Sequence, residues 1–259
     1  MAEAGSFPII RVDPVAPEAH RLWEMTLDLA EALGAERQWS LIGGLMVQLH
    51  GHEHSDDLRP TVDIDLLGAA RKPPSMTEQI AELLTERGAE LAMPPRSDPQ
   101  LGYRFELDGE TVEVLGPDGL KSNPGTLPGL TTFEASGGTQ ALRRTEVVRV
   151  SLSGAPPVPV RRPNLLVAIL IKARVVAKRR KEKFASDRED LIRLLSYVED
   201  PRGLASDGQM KSSEKKWLRD VEKALDFGVF PSADLSPAAD LFPAATHERA
   251  EQAFRLLCT

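Results

Sequence analysis

A chain of 259 residues, 41% of them hydrophobic, can hold one large domain or two modest ones with a sizeable core. Its formal charge of -7 excludes a general nucleic-acid coat, and its single cysteine, Cys258, excludes an internal disulfide framework and fits a reducing compartment. The longest apolar run, Leu165 to Ile171, is far short of a membrane span, and MAEAGSFPII has no basic region followed by a long apolar stretch. A soluble, cytoplasmic protein without a membrane partner is expected.

In chain order, Leu22, Trp23, Thr26, Leu27, Ala30 and Leu33 recur at helical spacing and predict a helix over Pro17–Leu33, with Gly34 as its stop. Gln38 to Ile42 reads as a short strand. Gly43-Gly44 then turns the chain into a second helix, expected to run to about His50 and to close at Gly51. A strand, a glycine turn and a helix N-terminus in succession present free backbone N–H groups to an anion, and glycine lets a phosphate come close. His50 to Asp57, HGHEHSDD, reads as a polar loop. Its histidines His50, His52 and His54 alternate, which raises a zinc hydrolase as one reading, although no second cluster follows to complete four ligands.

Arg59 and Thr61 lead into a strand carrying Asp63 and Asp65 on one face, with Val62, Ile64 and Leu66 expected on the other, in a core. Two like charges side by side need a compensating cation, and paired carboxylates suit a hard divalent ion such as magnesium. Ser75 and Glu78 form a capping box for a helix over Ser75–Arg87, ended by Gly88. Ala89 to Met93 is expected to be a strand and Pro94 to Pro99 a loop. Tyr103–Leu107 and Thr111–Leu115 form a hairpin across Asp108-Gly109. Glu113, opposite in facing to Val112 and Val114, offers a third carboxylate to the same site. Gly116 to Gly138 reads as an extended connection. Thr145–Leu152 is a strand, and Val158–Val160 its partner. A first domain is expected over 1–162, with Pro163 in the first turn of the next helix.

The second domain, 163–259, reads as helical. Leu165 to about Arg180 is apolar on all sides at its start, and Lys172 falls on the otherwise apolar stripe Leu165, Ile169, Val176. A lysine there needs an anion or a route to water. Between Ile171 and Lys183 stand seven Lys or Arg and one acid, with Lys178 to Lys183 at the helix end. Ser186 and Glu189 read as a capping box, with Asp187 and Asp190 in the first turns. Ser212–Leu225 and Thr246–Leu257 complete the helices, with Pro231 to Pro243 between them.

The set Gly43-Gly44, Arg59-x-Thr61-x-Asp63-Ile64-Asp65-Leu66, Glu113, Lys172 and Asp187-x-x-Asp190-Leu191 resembles the AbiEii/MenT-type nucleotidyltransferases, toxin-like members of the DNA polymerase beta-like superfamily. The resemblance spans roughly Ser40 to Leu195. It implies an α/β (α+β) fold, a mixed β-sheet core flanked by helices and followed by a helical C-terminal domain. It implies Asp63 and Asp65, with Glu113, as ligands of magnesium or manganese. Asp63, Asp65, Lys172 and Asp187 would then be catalytic, and Gly43, Gly44, Arg59, Thr61, Lys172 and Asp190 nucleotide-binding. It further implies an NTP substrate, an RNA acceptor such as a tRNA 3′ end, and a cognate antitoxin. Leu45 stands where the superfamily often has serine, and Glu113 where it usually has aspartate. A catalytically inactive nucleotide- or RNA-binding regulatory module is the alternative.

Overall fold

In the computed structural model, residues 9–56, 58–71, 74–93, 98–120, 125–178, 184–225 and 244–259 are described. The chain divides into two compact units, Met1–Asn164 and Leu165–Thr259. It is a mixed α/β protein, with mixed sheets and helices in the first unit and helices in the second.

The first unit runs β1 (Ile9–Val12), α1 (Pro17–Leu33), β2 (Trp39–Ile42), α2 (Gly43–Glu53), β3 (Asp63–Gly68), α3 (Met76–Glu86), β4 (Glu90–Leu91), β5 (Arg104–Leu107), β6 (Glu110–Pro117), β7 (Phe133–Ala135), α4 (Gly138–Arg143), β8 (Thr145–Leu152) and β9 (Val158–Pro163). One sheet has the order β2-β3-β6-β5-β4, with β7 also on β6; the other has the order β1-β8-β9. β3 is antiparallel to β2 and parallel to β6. The apolar stripe of α1 is buried as its spacing requires, and Pro17 opens the helix where its missing N–H costs nothing. That stripe joins Trp39, Leu41, Leu45, Leu49, Ile64, Leu66, Phe105, Val112 and Val114 in one core. Each such side chain contributes roughly 1.5–3 kcal/mol on burial.

Several local expectations are met. Ser75 Oγ accepts from the Glu78 N–H while Glu78 Oε2 accepts from the Ser75 N–H, the capping box at the start of α3. Asp108 and Gly109 take φ of 50° and 84°, as a two-residue hairpin between β5 and β6 demands.

Others are corrected. Val62 is 77% exposed, not in the core: β3 and its pairing begin at Asp63, so nothing covers the residue before it. α2 continues through Glu53, so His50 and His52 are helical rather than in a loop, and His54 Nδ1 bonds the His50 carbonyl at the helix end. Asp57 lies outside the described residues. The Gly116–Gly138 connection holds the end of β6, then β7 and the start of α4, and β1 pairs in parallel with β8; both short strands carry too little periodicity to be read alone. Pro163 ends β9 instead of entering a helix, its carbonyl bonded to His50 Nε2 at 3.1 Å.

The second unit comprises α5 (Leu165–Lys178), α6 (Phe184–Ser196), α7 (Pro201–Asp207), α8 (Ser212–Arg219), α9 (Glu222–Leu225) and α10 (Ala244–Cys258). α5 is buried continuously from Leu166 to Ala173, and the Arg174 guanidinium lies 4.2 Å from the Trp217 ring centre. α6 starts at Phe184, so Ser186 sits inside its first turn rather than at a cap, and Glu189 pairs instead with Arg193 at 3.0 Å. The single helix expected over Ser212–Leu225 is broken at Asp220-Val221 into α8 and α9, yet Leu218, Val221 and Leu225 are all buried. Residues 179–183 of the basic run, 94–97 of the Pro94–Pro99 loop and the Pro231–Pro243 segment lie outside the described residues. Among the described residues no helix is long and apolar enough to cross a membrane.

Candidate active site

Register places the acidic residues. Asp63 and Asp65 share one face of β3, and in the parallel pairing with β6 they stand opposite Thr111 and Glu113. Neighbouring strands lie about 4.7–4.9 Å apart, so the Asp65 and Glu113 side chains are lateral neighbours. In the antiparallel pairing with β2, Asp65 is also opposite Ile42, the last residue before α2.

The glycine turn packs directly on this face. Gly43 has a φ of 69°, and a methyl group there would stand 1.7 Å from Asp65 Oδ2. A methyl group on Gly44 would stand 2.4 Å from Thr61 Oγ1. The two glycines are the reason the start of α2 can meet the carboxylate side of β3 at all. Thr61 Oγ1 donates to Asp63 Oδ1 at 3.0 Å and orients that carboxylate. A relay fixes the approach to β3: Trp23 Nε1 donates to Gln48 Oε1, and Gln48 Nε2 donates to the Arg59 carbonyl at 2.9 Å. The Arg59 guanidinium bonds its neighbour, the Pro60 carbonyl. Gly43, Gly44, Thr61, Asp63, Asp65 and Glu113 are therefore gathered within the first unit.

Arg104 was not singled out from sequence. It lies opposite Glu113 across β5–β6, and its Nε and Nη2 both donate to Glu113 Oε1, at 3.1 and 2.5 Å. That hydrogen bond is the main reason the Arg104 guanidinium holds its proton more tightly than usual, with Asp63 adding to the effect. Burial, then the Glu113 charge, pushes the neighbouring Tyr103 hydroxyl above the ordinary phenol range, and Asp65 adds to it. Tyr103 also packs on Phe133, ring centres 5.9 Å apart. The signal that would have found Arg104 is its place four residues before the Asp108-Gly109 turn, as Glu113 stands four residues after it, so that a two-residue hairpin sets them opposite in register. Among the described residues no group of three or more His, Cys, Asp or Glu side chains is gathered as a metal cluster. Glu113 is turned to Arg104, which leaves Asp63 and Asp65 as the carboxylate pair on the strand. An acidic pair beside a helix N-terminus suits a divalent cation with a phosphate ligand.

The histidines do not converge. His50 is buried against the Pro163 carbonyl and near Glu53, while His52 meets Trp23 edge-on with ring centres 6.4 Å apart. Burial, reinforced by Arg162, holds the His50 imidazole well below its ordinary pKa.

In the second unit, Lys172, Asp187 and Asp190 come together. Lys172 is 6% exposed, and its Nζ donates to Asp190 Oδ2 at 2.7 Å and to Asp187 Oδ1 at 3.5 Å. The anion that a lysine on an apolar stripe requires is thus supplied here by two carboxylates of α6.

No protein-family model matches the chain. No curated protein matches it. The crystal structure of an antigenic nucleotidyltransferase-like protein from Paracoccidioides brasiliensis is similar at a TM-score of 0.49 and 17% identity, over 83% of this chain and 92% of that one. At that distance the likeness assigns no residue a role.

Proposed function

We propose that this protein is a metal-dependent nucleotidyltransferase that moves a nucleotide from an NTP to an RNA acceptor such as a tRNA 3′ end, in the manner of an AbiEii/MenT-type toxin. The observation that carries this reading is the close packing of Gly43 on Asp65, which sets a helix N-terminus against a strand bearing two carboxylates. Asp63 and Asp65 would hold magnesium or manganese, with Glu113 joining if Arg104 releases it, and the ion would neutralise charge on the phosphate oxygens. The N–H groups at the start of α2, unobstructed by side chains at Gly43 and Gly44, would receive phosphate. Lys172, steered by Asp187 and Asp190, is the nucleotide-binding cation of the second unit in this reading. The acceptor hydroxyl gives up its proton to solvent as its oxygen forms a bond to the α-phosphorus, the bridge to the β-phosphate breaks, and pyrophosphate leaves.

Incubation with each labelled NTP and total RNA, resolved on a gel, tests this. Wild type transfers label from at least one NTP, and Asp65→Ala, still folded by circular dichroism, transfers none. Full transfer by Asp65→Ala sinks the metal assignment. Growth arrest on expression, relieved by Asp65→Ala and by the product of an adjacent gene, is the corresponding test of the toxin and antitoxin roles. The Arg104–Glu113 pair favours one second reading, a catalytically inactive module that binds nucleotide or RNA. Magnesium-dependent stabilisation by NTP without pyrophosphate release distinguishes it.

A further inference from the structure

A cavity of about 820 Å³ opens in the first unit at the other end of β3. Trp39 pairs with Gly68 at this end of the β2–β3 ladder, whereas Ile42 pairs with Asp65 at the acidic end. Gln38 and Ala69, which line the cavity, flank that Trp39–Gly68 pair. The cavity is therefore separate from the carboxylate site.

Its lining is unusual for a chain of net charge -7: Arg37, Arg71, Arg143 and Arg161, against one acid, Glu36. Arg161 is held rigidly, Nε donating to the Trp39 carbonyl at 2.9 Å and Nη1 to the Ala35 carbonyl at 2.6 Å. Both partners are neutral, so they orient the guanidinium without cancelling its charge. Burial lowers its hold on the proton and Glu36 opposes this, the behaviour of a cation that gains from an added anion. Arg37, Arg71 and Arg143 are exposed, and none of them forms an ion pair with a described residue. Like charges gathered without carboxylate partners repel, and a surface has no structural reason to collect them. Guanidinium forks match phosphate oxygens in pairs, and the volume falls in the range of small-ligand sites, about 300–1,000 Å³. Met76 and Leu142 add an apolar wall.

We propose that this cavity binds the phosphate groups of a nucleotide-sized ligand, either a free nucleotide or the phosphorylated end of an RNA chain. The proposal does not depend on the transferase reading, because none of its residues belongs to that site.

Equilibrium titration of the full-length protein in EDTA, with inorganic pyrophosphate, ATP and a 5′-phosphorylated RNA 12-mer as probes, tests it. At least one probe binds, and the Arg71→Glu/Arg143→Glu variant weakens it by about tenfold or more, the equivalent of one lost charged contact of about 1.4 kcal/mol. EDTA removes the divalent ion that the transferase reading requires, so the binding followed here is read apart from nucleotide transfer. Tightest binding by ATP or pyrophosphate identifies a free ligand; tightest binding by the RNA, weakening steeply with salt, identifies a chain end. Arg37→Glu serves as a second variant should the double one lose its thermal transition. Absence of saturable binding by all three probes, or wild-type affinity in the folded charge-reversal variants, overturns the proposal.

Discussion

The space that a side chain on Gly43 would need is filled by the carboxylate of Asp65, whose Oδ2 and Cγ lie 1.7 and 2.6 Å from where a methyl carbon would be. The glycine and the acid come from different segments, yet each fixes the other. With φ at 69°, any other residue at position 43 also meets the steric cost of the left-handed region, roughly 1–2 kcal/mol. Gly43→Ala is therefore expected to lower stability by at least about that much in urea unfolding, and to lose transfer activity because Asp65 must move. Gly44→Ala, at an ordinary φ and meeting Thr61 Oγ1 at 2.4 Å and Cβ at 2.8 Å, is expected to be the milder change. Equal effects of the two would contradict the close packing at Gly43.

Arg104 and Glu113 test the third carboxylate. Removing the guanidinium in Arg104→Ala frees Glu113 and takes a positive charge away from Asp63. Manganese affinity, followed by calorimetry, should rise by about tenfold, some 1.4 kcal/mol. Adding Glu113→Gln should reverse the gain. No gain would mean that Glu113 serves only to hold Arg104 on the sheet.

Lys172 answers two buried carboxylates, and Asp190 itself is 1% exposed. Replacing the lysine takes away the cation 2.7 Å from that carboxylate, and breaking a buried ion pair by removing one partner typically costs about 3–5 kcal/mol. Lys172→Met should shift the urea midpoint accordingly, and Lys172→Met/Asp190→Asn should recover part of it. A near-neutral Lys172→Met would show that the buried pair contributes little, leaving nucleotide binding as the reason for the lysine.

His50 gives stability a defined pH slope. Its folded pKa lies well below 6.5 because burial, first, and Arg162, second, oppose its charged form. Below about pH 6.5 the unfolded chain takes up a proton there that the native protein refuses, so stability falls as pH falls toward the folded pKa. Above 6.5 both states are neutral at this residue and its contribution is flat. Denaturation midpoints measured from pH 7.5 to 5 should decline, and His50→Gln should flatten the decline; the same slope in the variant would assign it elsewhere.

The amino-acid order by itself determined the elements whose causes are local. The stripe of α1, the Ser75–Glu78 box, the Asp108-Gly109 hairpin and the alternation of Asp63, Ile64, Asp65 and Leu66 depend on residues only a few positions apart, and the structure has them where spacing puts them. Burial and partner choice have no such local cause. Only the tertiary structure decided that Val62 is bare, that His50 turns to the Pro163 carbonyl, that Glu113 meets Arg104, and that the carboxylates of α6 answer the ammonium of Lys172. The physical reason is that desolvation and charge pairing depend on which distant segments the fold brings together, and periodicity along one segment carries no information about its neighbours.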